Sequence, residues 1–446
     1  MTSVLRLALC TVAAALTAAM VPGPHELQWG LALFVLIGGL WVTQALPLAV
    51  TALVVPLAAV LAGLLPVRQA LASFAHPVIF LFLGGFALGA ALSSQGLDKA
   101  LAHAVVRLAR GYRMVAVLLL AGLAALLSMW MSNTATAAMM VPLALGLLTE
   151  EDPAHPVGPR EKAFVMLVLA YSAGIGGIGT LVGSPPNAIA AAQMGIGFAQ
   201  WLRYGIPMVL LLWPAMVLML FLLLRPRLGG RMQQPAQALE WTRSRVVTVV
   251  IFLCTVAGWV GGVPLAQALS MAADTDTLVA LAAIAALSVS GVLGWKDIEQ
   301  HTQWGVLLLF GGGLALSEVM AVTGSSRFLA QALLDGAQAA SPAVFLLGVV
   351  AFVVLLTELV SNTASAALLL PVFLPVATAM GLPPVTVAVA IAMAASCAFM
   401  LPVATPPNAI VFATGEVPQG TMMRCGLWLN ALAVVTITAL ALWRWT

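Results

Sequence analysis

The chain is 446 residues long, 62% hydrophobic and only 7% charged, with a formal net charge of +3. Soluble globular proteins carry roughly 25% charged residues, so lipid is the solvent for most of this chain and no segment reads as a soluble domain. The small, scattered charge excludes a nucleic-acid partner. Cys10, Cys254, Cys397 and Cys425 sit singly in apolar segments without metal-ligand spacing and read as packing residues. The five histidines fall near segment ends and never cluster.

Apolar runs of roughly 18 or more residues, enough to cross a bilayer's hydrocarbon layer, recur from end to end. Residues 1–29 hold the first, 5–22, where Arg6 precedes LALCTVAAALTAAM. That pattern has features of a secretory signal, but the same apolar character continues downstream and favours an uncleaved span. A first repeat, 30–226, follows with spans 30–46, 49–65, 77–93, 162–194 and 204–225. The polar, basic stretch from Arg225 to Arg245 reads as a cytoplasmic linker, centred on 227–243. A second repeat, 244–446, contributes spans 244–262, 277–294, 304–323, 384–413 and 424–445. The expectation is an all-α polytopic membrane protein with eleven transmembrane helices.

Two further apolar regions, 114–149 and 342–380, are too long for one helix, and each is interrupted by Ser-Asn-Thr. A segment that enters, turns on a polar tip and leaves by the same side is a re-entrant hairpin. Such backbone is tolerated at membrane depth only inside protein or against a wet cavity. With the N-terminus cytoplasmic and both hairpins returning to their own side, fourteen of the 18 basic residues are cytoplasmic. Only Arg68, Arg203, Arg327 and Arg444 lie opposite. The positive-inside rule favours this arrangement, which places the protein in the cell's inner (plasma) membrane.

The halves echo one another. Ser132-Asn133-Thr134 and Ser361-Asn362-Thr363 are 229 positions apart. Ser184-Pro185-Pro186-Asn187 and Thr405-Pro406-Pro407-Asn408 are 221 apart, and Phe82-Leu83-Gly84-Gly85 matches Phe310-Gly311-Gly312-Gly313 at 228. Each half runs three spans, hairpin, broken span, span. Five full spans is an odd number, so the second repeat is inverted, the architecture of secondary transporters with a site near the midplane.

Paired prolines remove two N–H donors and unwind the span, and Ser or Thr just before Pro is suited to capping a new helix. Ser184 and Thr405 are therefore expected to cap second half-helices, and the Ser-Asn-Thr tips to open the second arm of each hairpin. Four helix N-termini would then face one cavity, each with free N–H groups and roughly half a positive charge, attractive to an anion without Arg or Lys. Hydroxyls, Asn oxygens and unwound carbonyls are hard ligands that also suit sodium. Ser128 stands one helical turn before Ser132, and Thr357 one turn before Ser361, so each pair reads as a contributor to one site. A cation beside each tip would offset repulsion within a dianion and couple the two binding events. Glu318 and Glu358 are the main intramembrane carboxylates, functional candidates by default. Glu358 adjoins Ser361 by one turn, and either transport or the satisfaction of backbone groups in the hairpin accounts for it. The tryptophans read as an interfacial belt and the methionines as core filling. No HExxH or cluster of His, Cys and carboxylates supports an intramembrane enzyme.

The paired triplets, with GTLVGSPPNAI at 179–189 and LPVATPPNAI at 401–410, resemble the divalent anion/sodium symporter family over essentially the whole chain. The resemblance implies sodium (Na+) as coupling ion, with Ser128, Ser132, Asn133 and Gly183 forming a first sodium site. Thr357, Val360, Asn362 and Ala404 form a second, Val360 and Ala404 through backbone carbonyls. It further implies substrate contacts from Asn133, Thr134, Ser184, Ser361, Asn362, Thr363, Thr405 and Pro406. A homodimer with a fixed scaffold and an elevator-like transport domain is expected. So is symport of di- or tricarboxylates, most simply C4-dicarboxylates such as succinate, malate and fumarate. The same family pattern leaves a sodium-independent dicarboxylate exchanger or a sulfate transporter open.

Overall fold

The computed structural model describes residues 3–148, 157–229, 240–268, 274–336 and 341–445; the centre of the expected linker, 230–239, lies outside them. Among the described residues all regular structure is helical. Eight helices are long and apolar enough to cross a membrane. Seven of these are expected spans, from Ser3–Met20 to Gln419–Trp443, and the eighth, Asn362–Ala379, is a hairpin arm. The remaining four expected spans are built of shorter helices. Leu48–Leu61 and Thr275–Val289 have 14 and 15 residues. The other two are broken, as Pro159–Gly177 with Pro185–Met194, and Pro384–Ala395 with Pro406–Ala413. Both long interrupted regions are helical hairpins, Arg113–Ser128 with Asn133–Leu148, and Pro342–Thr357 with Asn362–Ala379.

Apolar runs do not reveal four further helices. Val67–Ala72 and Trp295–His301 precede the third span of each half, and Leu97–Leu108 and Ser325–Gly336 lead into each hairpin. The latter two are amphipathic, with polar stripes that break hydrophobic runs: Asp98, Lys99 and Arg107 in the first, Arg327 and Gln331 in the second.

The halves grip each other through matched contacts. Gly84 lies so close to Leu48–Leu61's counterpart, Thr275–Val289, that an added Cβ would sit 2.7 Å from the Ala280 Cβ. Gly312 lies against Leu48–Leu61 itself, where the same addition would sit 2.6 Å from the Ala52 Cβ. Both members of this pair are 228 positions apart in sequence. Small residues on both sides of a crossing let backbones approach, the main source of helix association where lipid is the solvent. Between the crossings Phe82 and Phe310 meet edge to face, centroids 4.8 Å apart.

Bonds between distant segment ends join ends expected on one side of the membrane. Lys162 pairs with Glu416 at 3.0 Å, and Arg245 Nε donates to Gln95 O at 2.9 Å. At the other end, Thr277 Oγ1 donates to Pro77 O at 3.1 Å and Gln69 Nε2 to Glu318 Oε1 at 3.0 Å. Glu318 is thus engaged at a segment end, away from the polar breaks.

Two packing expectations need exceptions. Trp29, Trp241, Trp295, Trp304, Trp428 and Trp443 are exposed, whereas Trp41, Trp201 and Trp259 are fully buried. Their indole N–H groups find carbonyl partners inside the protein, as Trp201 Nε1 does at Ile178 O, 3.0 Å, and Trp259 Nε1 at Asp276 O, 2.9 Å. Cys254 is exposed, whereas Cys10, Cys397 and Cys425 are buried.

Candidate functional site

The hairpin tips form where the chain leaves one helix and begins another. The first arms end at Ser128 and Thr357, and the second arms start at Asn133 and Asn362. The triplets therefore open helices as expected, but Ser128 and Ser132 do not share one. The helical-spacing argument for them, and for Thr357 with Ser361, is replaced by a direct contact. Ser128 Oγ donates to Asn133 Oδ1 across the turn. Thr357 Oγ1 makes the matching contact to Asn362 Oδ1 at 2.8 Å and also lies 2.8 Å from Ala395 O.

The broken spans unwind between Gly177 and Pro185, and between Ala395 and Pro406, with Pro in the first turn of each second half-helix. A buried asparagine from the Pro-Pro-Asn motif ties each break. Asn187 Nδ2 donates to Gly177 O and Thr180 O at 3.0 and 2.7 Å. Asn408 Nδ2 donates to Ala398 O and Leu401 O, both at 3.1 Å. Corresponding residues are 221 positions apart throughout. These two pins satisfy carbonyls freed by unwinding, and their recurrence within the motif was the signal that could have identified them. Thr405 caps as expected, accepting from Asn408 N at 3.4 Å. Ser184 does not. It holds the cap position in extended conformation, but its Oγ pairs with Ser396 Oγ at 2.9 Å, linking the two broken spans.

These elements enclose one cavity of about 340 Å³. Ser132, Asn133, Thr134, Gly183 and Ser184 line it from one half, and Val360, Ser361, Asn362, Thr363, Ala404, Thr405 and Pro406 from the other. Ser128 and Thr357 stand behind it, bonded to the two lining asparagines. Among the described residues no charged side chain lines the cavity, and the first residues of four helices (Asn133, Pro185, Asn362 and Pro406) do. The two hairpin helices offer first-turn N–H groups, and the two Pro-Pro helices, which lack N–H at their first two residues, add the positive ends of their dipoles, all without a fixed cation. Phe82, Phe86, Gln44, Gln303 and Val306 also line it, none of them evident as site residues from local motifs.

Hard oxygens converge beside the first tip. A Cβ on Gly177 would lie 2.6 Å from Asn133 Oδ1 and 2.8 Å from Gly183 O. One on Gly183 would lie 2.6 Å from Gly177 O and 2.9 Å from Ser128 O. Glycine is required at both positions for these oxygens to approach. Neutral carbonyl, amide and hydroxyl oxygens at an unwound helix are a donor set that fits sodium.

A family model described as citrate transporter (CitMHS) matches residues 39–371. The chain belongs to the citrate transporter family. This is a family of membrane transporters, not enzymes, in keeping with the divalent anion/sodium symporter resemblance. The transporter is 46% identical over 443 residues to an uncharacterized transporter of Haemophilus influenzae, covering 96% of this chain and 94% of that protein. It is 30% identical over 448 residues to the sodium-dependent dicarboxylate transporter SdcS of Staphylococcus aureus, covering 93% and 86%. Among solved structures, the YdaH transporter of Alcanivorax borkumensis superposes with a TM-score of 0.58 at 17% identity, covering 84% of this chain and 87% of that one. MtrF of Neisseria gonorrhoeae gives 0.55 at 15% identity, covering 99% and 94%. These structural likenesses support the membrane-transporter fold.

Proposed function

We propose that the transporter is a sodium-coupled symporter of C4-dicarboxylates, working as a homodimer in the inner membrane by an elevator motion of the hairpins and broken spans against the remaining helices. The observation that carries this reading is one uncharged cavity ringed by four helix N-termini, with a hydroxyl–asparagine pair behind each tip. Each asparagine is bifunctional. Its Oδ1 faces the hydroxyl and the sodium ligands, leaving Nδ2 donors for a substrate carboxylate. One side chain thereby serves cation and anion, so binding of either pre-orients the amide for the other.

The halves are inverted in this reading, which brings hairpins entering from opposite faces to a common depth. Gln44 and Gln303, at the cavity mouth, follow and precede spans at their expected cytoplasmic ends. With the N-terminus cytoplasmic, these positions support an inward-facing reading. The SdcS relative supports both sodium and a dicarboxylate as cargo.

The test is uptake into proteoliposomes. Labelled succinate should accumulate down an inward sodium gradient, and failure of succinate, citrate and sulfate alike would overturn the reading. Asn133→Ala or Asn362→Ala should abolish uptake in protein that remains folded and inserted. Wild-type uptake by both variants would reduce the asparagines to interhelical contacts.

A further inference from the structure

The two breaks are tied to their hairpins at matching positions, but by opposite chemistry. In the first half the tie is neutral: Thr180 Oγ1 donates to Met129 O and accepts from Gly183 N at 3.2 Å. Met129 and Glu358 are counterparts at the 229 offset, and Thr180 and Leu401 at the 221 offset. In the second half a carboxyl group makes the tie. Glu358 Oε1 accepts from Phe399 N and Met400 N at 2.7 and 2.9 Å, and Oε2 from Leu401 N at 3.0 Å. Asn430 Nδ2, from the last helix, donates to Oε1 at 2.8 Å. One sequence reading had Glu358 satisfy backbone groups in its own hairpin; it satisfies the break instead.

Four donors and no acceptor surround this carboxyl group, the set a carboxylate satisfies. Tyr171 OH fixes the same segment from its other edge, donating to Phe399 O at 2.8 Å. Residues 399–401 are therefore held firmly just before Val403, Ala404 and Thr405 enter the cavity wall. Glu358 is also next to Thr357 and two residues from Val360 in the chain. A carboxyl group thus stands beside the residues expected at the second cation site, whereas Met129 holds the matching place in the first half.

We propose that Glu358 is a positioning residue for the second cation site, and that its carboxylate makes this site the stronger of the two for sodium. It fixes the direction of the unwound carbonyls and adds a negative charge without joining the ligand shell. The inference rests on the sodium-coupled reading, and its test separates the two.

Uptake by the full-length protein in proteoliposomes is measured against sodium concentration for wild type, Glu358→Gln, Glu358→Asp and Thr180→Val. Glu358→Gln should raise half-saturating sodium about tenfold or more, the size of a lost charge-assisted contact. The succinate KM at saturating sodium should change far less, Glu358→Asp should fall between Gln and wild type, and Thr180→Val should leave the sodium midpoint nearer to wild type. An unchanged midpoint in Glu358→Gln overturns the inference, as does an equal shift in Thr180→Val. Wild-type uptake indifferent to sodium instead overturns the coupling reading itself. A second measurement needs no change at Glu358. Thr357→Ala should diminish the sodium-induced rise in melting temperature more than Ser128→Ala, and an equal or reversed order overturns the ranking.

Discussion

Matched residues at the two tips stand in opposite surroundings. Trp130, in the first hairpin, packs edge-on against Phe252 with centroids 5.2 Å apart and stacks parallel to Trp259 at 6.4 Å. Its counterpart in the second hairpin, Leu359, is 72% exposed. Val182, in the first break, is buried at 7%, whereas its counterpart Val403 is 84% exposed. A near-symmetric sequence has thus been packed asymmetrically, one tip docked on the surrounding helices and the other free beside the cavity. In the proposed inverted arrangement, the free tip would mark the open side of the site. The alternating access proposed above would then release the aromatic cluster around Trp130 as Leu359 and Val403 become covered.

The largest effect expected from this contrast is chemical. With the native cysteines replaced by serine, Val403→Cys should react with a small hydrophilic maleimide about tenfold or more faster than Val182→Cys, because thiol reactivity follows access. Equal rates in the detergent-solubilised protein would break the comparison. Adding Trp130→Ala should speed labelling at position 182 by removing the docked ring, and the rate at position 403 should then fall if the tips exchange.

The asparagine pins sharpen the comparison energetically. Asn187→Ala and Asn408→Ala each leave buried carbonyls without a donor, at about 1–3 kcal/mol apiece. The cost should be larger at Asn187, because the Glu358 carboxyl group still clamps the second break through three N–H groups when Asn408 is lost, and the first retains the neutral ties of Thr180 and Trp201. Thermal unfolding in detergent checks the order, and a larger loss at Asn408 would mean that Glu358 contributes little.

The legible features were those written locally. Apolar runs, proline pairs and the repeated triplets located the spans, both hairpins and both breaks, and both triplets line one cavity with Ser184, Pro185 and the Thr405-Pro406-Pro407-Asn408 motif. What stayed hidden depends on partners remote in sequence. Ser184 looked like a cap because its neighbours are prolines, yet its hydroxyl goes to Ser396, 212 positions away. Glu358 reaches donors 41 to 72 positions along the chain. The three buried tryptophans could not be told from the exposed ones, because a residue near a span end looks the same whether its neighbour is lipid or protein. The short amphipathic helices escaped because their polar faces interrupt the only periodic signal a membrane segment offers.

The smallest expected effect concerns the clasp beneath the docked tip. Asp276 Oδ2 accepts from Phe198 N at 2.6 Å, while Trp259, stacked on Phe198 at 4.8 Å, donates to Asp276 O. The other carboxyl oxygen of Asp276 is buried without a partner. Burial raises the Asp276 pKa, the Phe198 amide opposes the rise, and the charge of Asp274 adds to it. A carboxyl whose pKa is higher folded than unfolded binds its proton more tightly in the folded state. It therefore costs nothing in acid, and the cost grows as pH climbs from the ordinary carboxylate range through the raised pKa. Asp276→Asn keeps an oxygen for Phe198 N and carries no charge at any pH. It should melt about 1–2 °C above wild type at neutral pH, with the two curves converging in acid. A wild type that is the more stable at neutral pH would show instead that the charged bond to Phe198 outweighs the burial cost, making the docked tip's clasp an electrostatic one.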